Sequence, residues 1–208
     1  HMNILEGPEE ARMTFLAVRR WFGWSSGKVA LFDIGGGSLE MAVGIDEEPD
    51  AAISMPLGAG RLYRDFLAHD PATPEEIRAL RTHARATIAK SIRPLVKAFP
   101  ADRCVASSKT FRSLSRIAGA APSGAGPYVP RSLKRSQLTD IVTRLSPMTI
   151  AERVGLPGVS ASRAPQLLAG AITAEAALEL LDVDHVDICP WALREGVILR
   201  QLDHLDDD

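Results

Sequence analysis

Hydrophobic and polar positions alternate in ways that divide the chain into a strand-rich first part and a helix-rich remainder. Apolar residues recur at helical spacing over 7–22, behind a proline and two glutamates that suit a first helical turn. An apolar run predicts a strand over Val29–Ile34, and apolar residues at every second position predict another over 39–45. A third strand is expected over 52–57. Because short turns join these three strands, they predict an antiparallel meander.

The remainder of the chain predicts helices interrupted by two further strands. The predicted helices lie over 60–67, 73–98, 110–117, 137–145, 150–154, 165–181 and 194–205, and the predicted strands over 103–107 and 185–189. A segment rich in glycine, alanine, proline and serine, 118–130, is the best loop candidate. A meander followed by strand–helix alternation predicts an α/β fold with a mixed five-stranded sheet and helices on both faces.

Composition narrows the class of protein. The chain has 208 residues, of which 46% are hydrophobic and 24% charged, as in an ordinary globular protein with a sizeable core. A net charge of −2 indicates no chain-wide attraction to nucleic acid or to a membrane, and no apolar run has the length of a membrane span. Two cysteines, Cys104 and Cys189, fit a reduced cytoplasmic protein. We interpret His1 and Met2 as the remainder of an expression tag and residues 3–208 as a single domain.

The stretch "DIGGGSLE", residues 33–40, carries the first candidate chemistry. A dinucleotide-binding turn must open a helix and a P-loop needs Gly-Lys-Ser/Thr, and neither follows these glycines. Two interpretations stay open: a tight structural hairpin, or a cradle whose backbone N–H groups approach a phosphate. In the second, Asp33 and Glu40 flank the anion and suit Mg²⁺. The candidate phosphate-binding residues of this turn are Gly35, Gly36, Gly37 and Ser38.

This stretch resembles the glycine loop of the exopolyphosphatase/guanosine pentaphosphatase (Ppx/GppA) family, within the actin-like ATPase superfamily. Four other segments resemble the family in the same order: "ILEGPEEARMTFLAV", "MPLGAGRL", "VASSKTFRSL" and "ALREGVILRQL". The runs "ASSKTFRSL" and "ICPWALREG" look most similar to its actinobacterial branch. The resemblance implies an actin-like (ribonuclease H-like) domain that corresponds to the family's second, C-terminal domain, with the first domain absent from these residues.

The resemblance also implies roles for acidic residues. Glu10 matches the glutamate that is taken as the catalytic base, which orients and deprotonates a water, with Glu9 as the alternative if the register shifts by one. From the residues alone, Glu10 is equally a first-turn glutamate that interacts with the helix dipole. Asp33 and Glu40 are implied to hold Mg²⁺, with Mn²⁺ as an alternative metal, or to order water. Their alternative role is to cap the turn.

A second phosphate loop is implied at Ser108, Lys109 and Thr110, ahead of a predicted helix. The family usually has glycine where Lys109 stands. If that position needs a positive φ, lysine is strained there; otherwise its ammonium replaces bare backbone as the phosphate ligand. Thr110 as a plain N-cap is the alternative. Positive charges at 131, 134 and 135 are interpreted as a solvated helix face, with a grip on a polyanion as the alternative.

The resemblance implies part of an exopolyphosphatase that hydrolyses the terminal phosphate of inorganic polyphosphate by Mg²⁺-assisted attack of water, with guanosine pentaphosphate as a further substrate. One alternative is a non-catalytic regulatory domain that binds nucleotide or polyphosphate, and a weaker one is a sugar kinase. The expected partners are the family's first domain and, in its place, a second copy of the chain. These residues alone are expected to be nearly inactive.

Overall fold

A six-stranded mixed sheet forms the centre of the domain. The computed structural model describes residues 6–206, so His1 and Met2 lie outside the described residues. The strands are β1 Val29–Ile34, β2 Leu39–Gly44, β3 Ala51–Met55, β4 Arg103–Ser107, β5 Ser132–Lys134 and β6 His185–Ile188. Their order across the sheet is β3-β2-β1-β4-β6-β5. The pairs β1–β2, β2–β3 and β5–β6 are antiparallel, whereas β1–β4 and β4–β6 are parallel. The carboxyl ends of β1, β4 and β6 therefore meet at one edge.

Helices cover both faces of the sheet, as the pattern predicts. They are α1 Gly7–Phe22, α2 Ala59–Phe66, α3 Pro74–Ser91, α4 Arg93–Ala98, α5 Ser108–Ile117, α6 Arg135–Leu145, α7 Ile150–Val154, α8 Leu167–Leu180 and α9 Leu193–Asp206. One face carries the larger core, which includes Phe32, Met41 and Phe111. The other face carries a smaller core that includes Phe15 and Val18 of α1.

The single helix predicted over 73–98 is wrong, because the structure has two helices there. The first ends at Ser91 and the second begins at Arg93, with Pro94 in its first turn. Proline has no N–H to donate, and its ring collides with the carbonyl four residues earlier, so the longer helix stops before it. The hydrophobic period continues across the break, which is why the sequence pattern suggests one element.

The predicted number of five strands is also wrong, because β5 adds a sixth at the edge of the sheet. Its three residues pair with β6, and only Leu133 among them is buried. A strand of three residues is too short to display a period of two. The cations around it do not form one solvated helix face. Arg131 donates to backbone carbonyls, and Arg135 forms ion pairs with Asp182 and Asp184.

Helix α9 packs directly on α1, the helix that carries Glu10. A side chain at Gly196 would overlap the carbonyl oxygen of Met13, so the two helices approach each other closely at this glycine. Further along the pair, Arg20 of α1 forms an ion pair with Asp203 at 2.7 Å. The position of α1 on the sheet is thus fixed partly by residues from the other end of the chain.

Candidate active site

A row of four polar side chains crosses four adjacent strands where β1 and β4 end. In the register of the sheet, Asp33 lies opposite both Glu40 and Ser107, and Glu40 lies opposite Ser54. The Ser107 hydroxyl donates a hydrogen bond to Oδ2 of Asp33, and the Ser54 hydroxyl donates to Oε1 of Glu40 at 3.0 Å. Opposite residues in a sheet project to the same face, so the two carboxyl groups are neighbours, each held by a serine.

Strand alternation places this row on the face of the sheet that α1 covers. Residues two apart in a strand project to the same face of a sheet. Two positions from Asp33, Glu40 and Ser107 stand Leu31, Ala42 and Val105, which all belong to the core beneath α1. Glu10, in the first turn of α1, is half-buried, and its charge acts on both Asp33 and Glu40. Glu9 is exposed. The structure thus brings Glu10 together with both acidic residues of the glycine turn.

Burial dominates the electrostatics of the two strand carboxyl groups. It raises the pKa of Asp33, as does the charge of Glu10, against the Ser107 hydrogen bond and the charge of Arg112. Burial likewise raises the pKa of Glu40 to about 7, against hydrogen bonds from Ser38 and Ser54. The charges of Asp33 and Glu10 raise the pKa of Glu40 further. A buried carboxylate, Glu40, next to a half-buried one, Asp33, is unfavourable without a cation, so this pair suits a bound metal ion.

The carboxylate oxygens of Asp33 and Glu40 fit a Mg²⁺ ion whose other ligands are water and substrate phosphates. No group of three or more His, Cys, Asp or Glu side chains within residues 6–206 is arranged to hold a metal ion. Mg²⁺ does not need such a cage, because it is usually bound by one or two carboxylates together with water and substrate phosphates. Asp33 and Glu40 supply two hard oxygen donors of this kind.

The glycine turn is anchored through its carbonyl groups. The Gly35 carbonyl accepts from Ala59 N–H at 2.9 Å, and the Gly36 carbonyl accepts from Arg61 N–H at 2.9 Å. The Gly37 carbonyl accepts from Nε of Arg61 at 3.0 Å. All three bonds come from residues at the start of α2.

The same anchoring leaves the amides of the turn available. Within residues 6–206, the N–H groups of Gly36, Gly37 and Ser38 donate no hydrogen bond. Each belongs to a peptide plane whose carbonyl points toward α2, and N–H and C=O point in opposite directions in a trans peptide. Three successive amides therefore point away from α2, and Gly36 and Gly37 are exposed. The Ser38 hydroxyl contacts Glu40, so its amide is the group left for a ligand.

The structure answers the question of backbone strain that the sequence leaves open in the second predicted loop. The left-handed residue is Ser108, with φ of 83°, rather than Lys109. A non-glycine residue in this region is strained by roughly 1–3 kcal/mol. The Ser108 hydroxyl accepts from Phe111 N–H at 3.4 Å, and Lys109 is exposed. Thr110 is buried against α8, where a side chain at Gly170 would lie 2.6 Å from its methyl group.

The sequence does not single out two arginines near this site, Arg112 and Arg163. Arg112 of α5 is half-buried, and its charge lowers the pKa of Asp33. Burial and the charge of Arg112 both lower the pKa of Arg163, which is also half-buried. The available signal for Arg112 is its spacing: it stands four residues after Ser108 and thus on the same face of the helix. Arg163 lies in an irregular segment with no period to mark it.

Comparison with known proteins identifies the family. The profile of the Ppx/GppA phosphatase family matches residues 1–205. The chain belongs to this family. Exopolyphosphatase 1 of Mycobacterium tuberculosis is 52% identical to it over 202 residues, which are 97% of the chain and 59% of that protein. A guanosine-5′-triphosphate,3′-diphosphate pyrophosphatase of Aliivibrio fischeri is 26% identical over 211 residues, covering 100% of the chain and 40% of that protein.

A solved structure of this family has the same fold. The Ppx/GppA phosphatase of Aquifex aeolicus matches with a TM-score of 0.80 and 26% identity, over 94% of the chain and 64% of that protein. The likeness confirms the actin-like fold expected from the sequence. The chain spans about three fifths of the length of the curated exopolyphosphatases that it matches. In the described part of the chain, no helix is sufficiently long and apolar to cross a membrane.

Proposed function

We propose that this Ppx/GppA domain is part of an exopolyphosphatase that hydrolyses the terminal phosphate of inorganic polyphosphate, with guanosine pentaphosphate as the alternative substrate. The observation that carries the proposal is the set of three outward-pointing amides beside Asp33, Glu40 and Glu10. The names of the M. tuberculosis and A. fischeri relatives support these two substrate classes. We place the activity in the cytoplasm.

Phosphoryl transfer depends mainly on positioning and on neutralising negative charge. In this proposal, the amides of Gly36, Gly37 and Ser38 bind oxygens of the terminal phosphate. Successive amides that point the same way form a favourable anion site, and the absence of side chains on the two glycines lets the phosphate approach closely. The anchoring of the carbonyls to α2 keeps the amides in place before the substrate arrives.

Asp33 and Glu40 would hold Mg²⁺, with Mn²⁺ as the alternative, and Ser107 and Ser54 fix the orientation of the two carboxyl groups. When bound, the cation neutralises charge on the phosphate oxygens. Glu10 accepts a proton from the attacking water and orients it. Glu10 lies in the first turn of α1, close enough to the carboxylate pair for its charge to act on both Asp33 and Glu40.

We further propose that a first domain supplies the other wall of the cleft, so that residues 1–208 alone turn over substrate at a very low rate. A second copy of the chain is the alternative partner on that side. In this proposal Lys109 contributes its exposed ammonium to the phosphate, and its backbone needs no left-handed conformation to do so.

The deciding experiment measures phosphate release from polyphosphate, with Mg²⁺, by a full-length protein that contains these residues. Replacing Glu10→Gln should lower turnover by roughly 10²–10⁴-fold, the usual contribution of a general base. The matched control is Glu9→Gln, on the same helical turn but exposed, which should leave the rate within about twofold of wild type. Equal rates for wild type and Glu10→Gln would reject the catalytic role. Substrate binding without turnover by the wild-type protein would favour the regulatory alternative.

A further inference from the structure

The first residue of α1, Gly7, lies directly against the side chain of Ser54 on β3. A Cβ built at Gly7 would stand 2.5 Å from Oγ of Ser54 and 2.6 Å from its Cβ. Ordinary contacts of a Cβ begin at 3.4 Å, so any residue with a side chain would push the helix and the strand apart. Among the described residues, no atom of another segment lies within 4 Å of that position. The close approach of α1 to β3 thus depends on Gly7 having no side chain.

Ser54 is also the residue that holds Glu40. Its hydroxyl donates to Oε1 of Glu40 at 3.0 Å, so the oxygen that faces Gly7 also orients this carboxyl group. Rotation of the Ser54 side chain away from a larger residue at position 7 would break that hydrogen bond. It would also leave the second overlap, because the backbone of β3 fixes the Cβ of Ser54. The first turn of α1 and the orientation of Glu40 are therefore linked through one side chain.

Glu10 shares the side of α1 that rests on the sheet. It stands three residues after Gly7, and residues three or four apart lie on the same face of a helix. Ala11, four residues after Gly7, is fully buried, so this face is the one that packs inward. The charge of Glu10 acts on both Asp33 and Glu40. The separation between the first turn of α1 and β3 therefore sets how close Glu10 comes to the two strand carboxyl groups.

We infer that Gly7 is a positioning residue, whose contact with Ser54 sets the distance of Glu10 from the two strand carboxyl groups. The inference rests on the proposed function and adds the contact that places its general base. A side chain at position 7 would displace the first turn by about 1 Å, and a misplacement of that size lowers activity by roughly 10²-fold. The amides of the glycine turn would stay in place, because α2 holds the carbonyls of that turn. The contact therefore affects the chemical step and not the binding of substrate.

The test measures kcat and KM for phosphate release from polyphosphate, with Mg²⁺, by a full-length protein that contains these residues. Gly7→Ala should lower kcat by roughly 10²-fold and leave KM within about threefold of wild type. In a Ser54→Gly background both overlapping atoms are gone, so Gly7→Ala should change kcat by less than about twofold there. The matched control is Gly44→Ala, which places a Cβ 2.8 Å from Cα of Pro49 at the far end of β2 from Glu40. It should keep kcat within about twofold of wild type.

A second readout needs no activity, because it measures the urea midpoint of the 208-residue protein. Replacing glycine by alanine in a helix normally stabilises it, since alanine is the better helix former. Gly7→Ala should instead lower the midpoint, because its Cβ overlaps Ser54. In the Ser54→Gly background the same substitution should leave the midpoint unchanged or raise it.

The outcomes separate the role of Gly7 from the proposed function. Unchanged kcat in Gly7→Ala would overturn the inference, as would a rise in KM alone or an equal loss of kcat in Gly44→Ala. Equal effects of Gly7→Ala with and without the Ser54 side chain, on kcat or on the urea midpoint, would overturn it too. Failure of the proposed function has a different sign, namely unchanged turnover in Glu10→Gln.

Discussion

Gly58 supports the glycine turn from behind, and replacing it with alanine tests the proposed role of that turn without changing its residues. Gly58 is buried just before α2. An added Cβ would lie 2.3 Å from the backbone N and C of Gly37 and from the backbone N of Ser38. All three neighbours are main-chain atoms, so no side-chain rotation can relieve the overlap.

The expected magnitudes follow from this overlap. Ordinary contacts of a Cβ begin at 3.4 Å, so the turn has to move by about 1 Å. Overpacking of this kind destabilises a protein by about 1–3 kcal/mol. A displacement of about 1 Å in a group that positions the substrate lowers activity by roughly 10²-fold. Gly58→Ala should therefore weaken both the fold and the binding of phosphate.

Two measurements check this prediction: the free energy of unfolding in urea and the affinity for inorganic phosphate with Mg²⁺. Gly124→Ala is the control, because an added Cβ there has no atom within 4 Å, and it should change stability by less than about 0.5 kcal/mol. If Gly58→Ala loses stability but keeps wild-type phosphate affinity, the glycine turn is not the phosphate seat. If neither quantity changes, the packing argument itself is wrong.

Two other predictions concern strain and protonation. Ser108→Gly should stabilise the protein by about 1 kcal/mol in urea unfolding, because glycine relieves the left-handed strain at some entropic cost. The control, Ser136→Gly on the exposed surface of α6, should instead destabilise the protein. A loss of stability in Ser108→Gly would contradict the assignment of strain to this residue. With metal chelated, the free energy of unfolding should fall as the pH rises from about 4.5 to about 7, because folding raises the pKa of Glu40 to about 7. Below that range the carboxyl is protonated in both states and the penalty of burying its charge is absent. The fall that Glu40 causes should reach about 1–3 kcal/mol. Glu40→Gln should remove this part and leave the fall that the raised pKa of Asp33 causes. An unchanged slope in that variant would assign the whole fall to another group.

The sequence predicts the part of the site that depends on local chemistry. An apolar run before the four turn residues and a period of two after them indicate a hairpin in which Asp33 lies opposite Glu40. The start of α1, and with it the place of Glu10 in the first turn, follows from a proline and two glutamates. These relations involve neighbours along one hairpin or one helical turn, so they are visible in the order of residues.

The rest depends on contacts between distant segments. Ser54 contacts Glu40 only because β3 pairs with β2, and Ser107 contacts Asp33 only because β4 lies beside β1. The position of Arg112 along its helix is like that of an ordinary surface arginine, and only its neighbours in the folded protein distinguish it. The left-handed backbone falls at Ser108 instead of Lys109, because the path of the chain from β4 into α5 sets the dihedral angles. None of these features leaves a period or a motif in the sequence.

The close packing of α9 on α1 has a consequence for the order in which parts of the fold form during synthesis. Arg20 and Asp203 are 183 positions apart, so ribosomal synthesis delivers the second long after the first. Contacts with such a separation form late during folding, because a long loop must close before they contribute. The helix that carries Glu10 therefore gains its final support only when the distal helix has emerged, and a nascent protein interrupted before that point would lack the final placement of this glutamate.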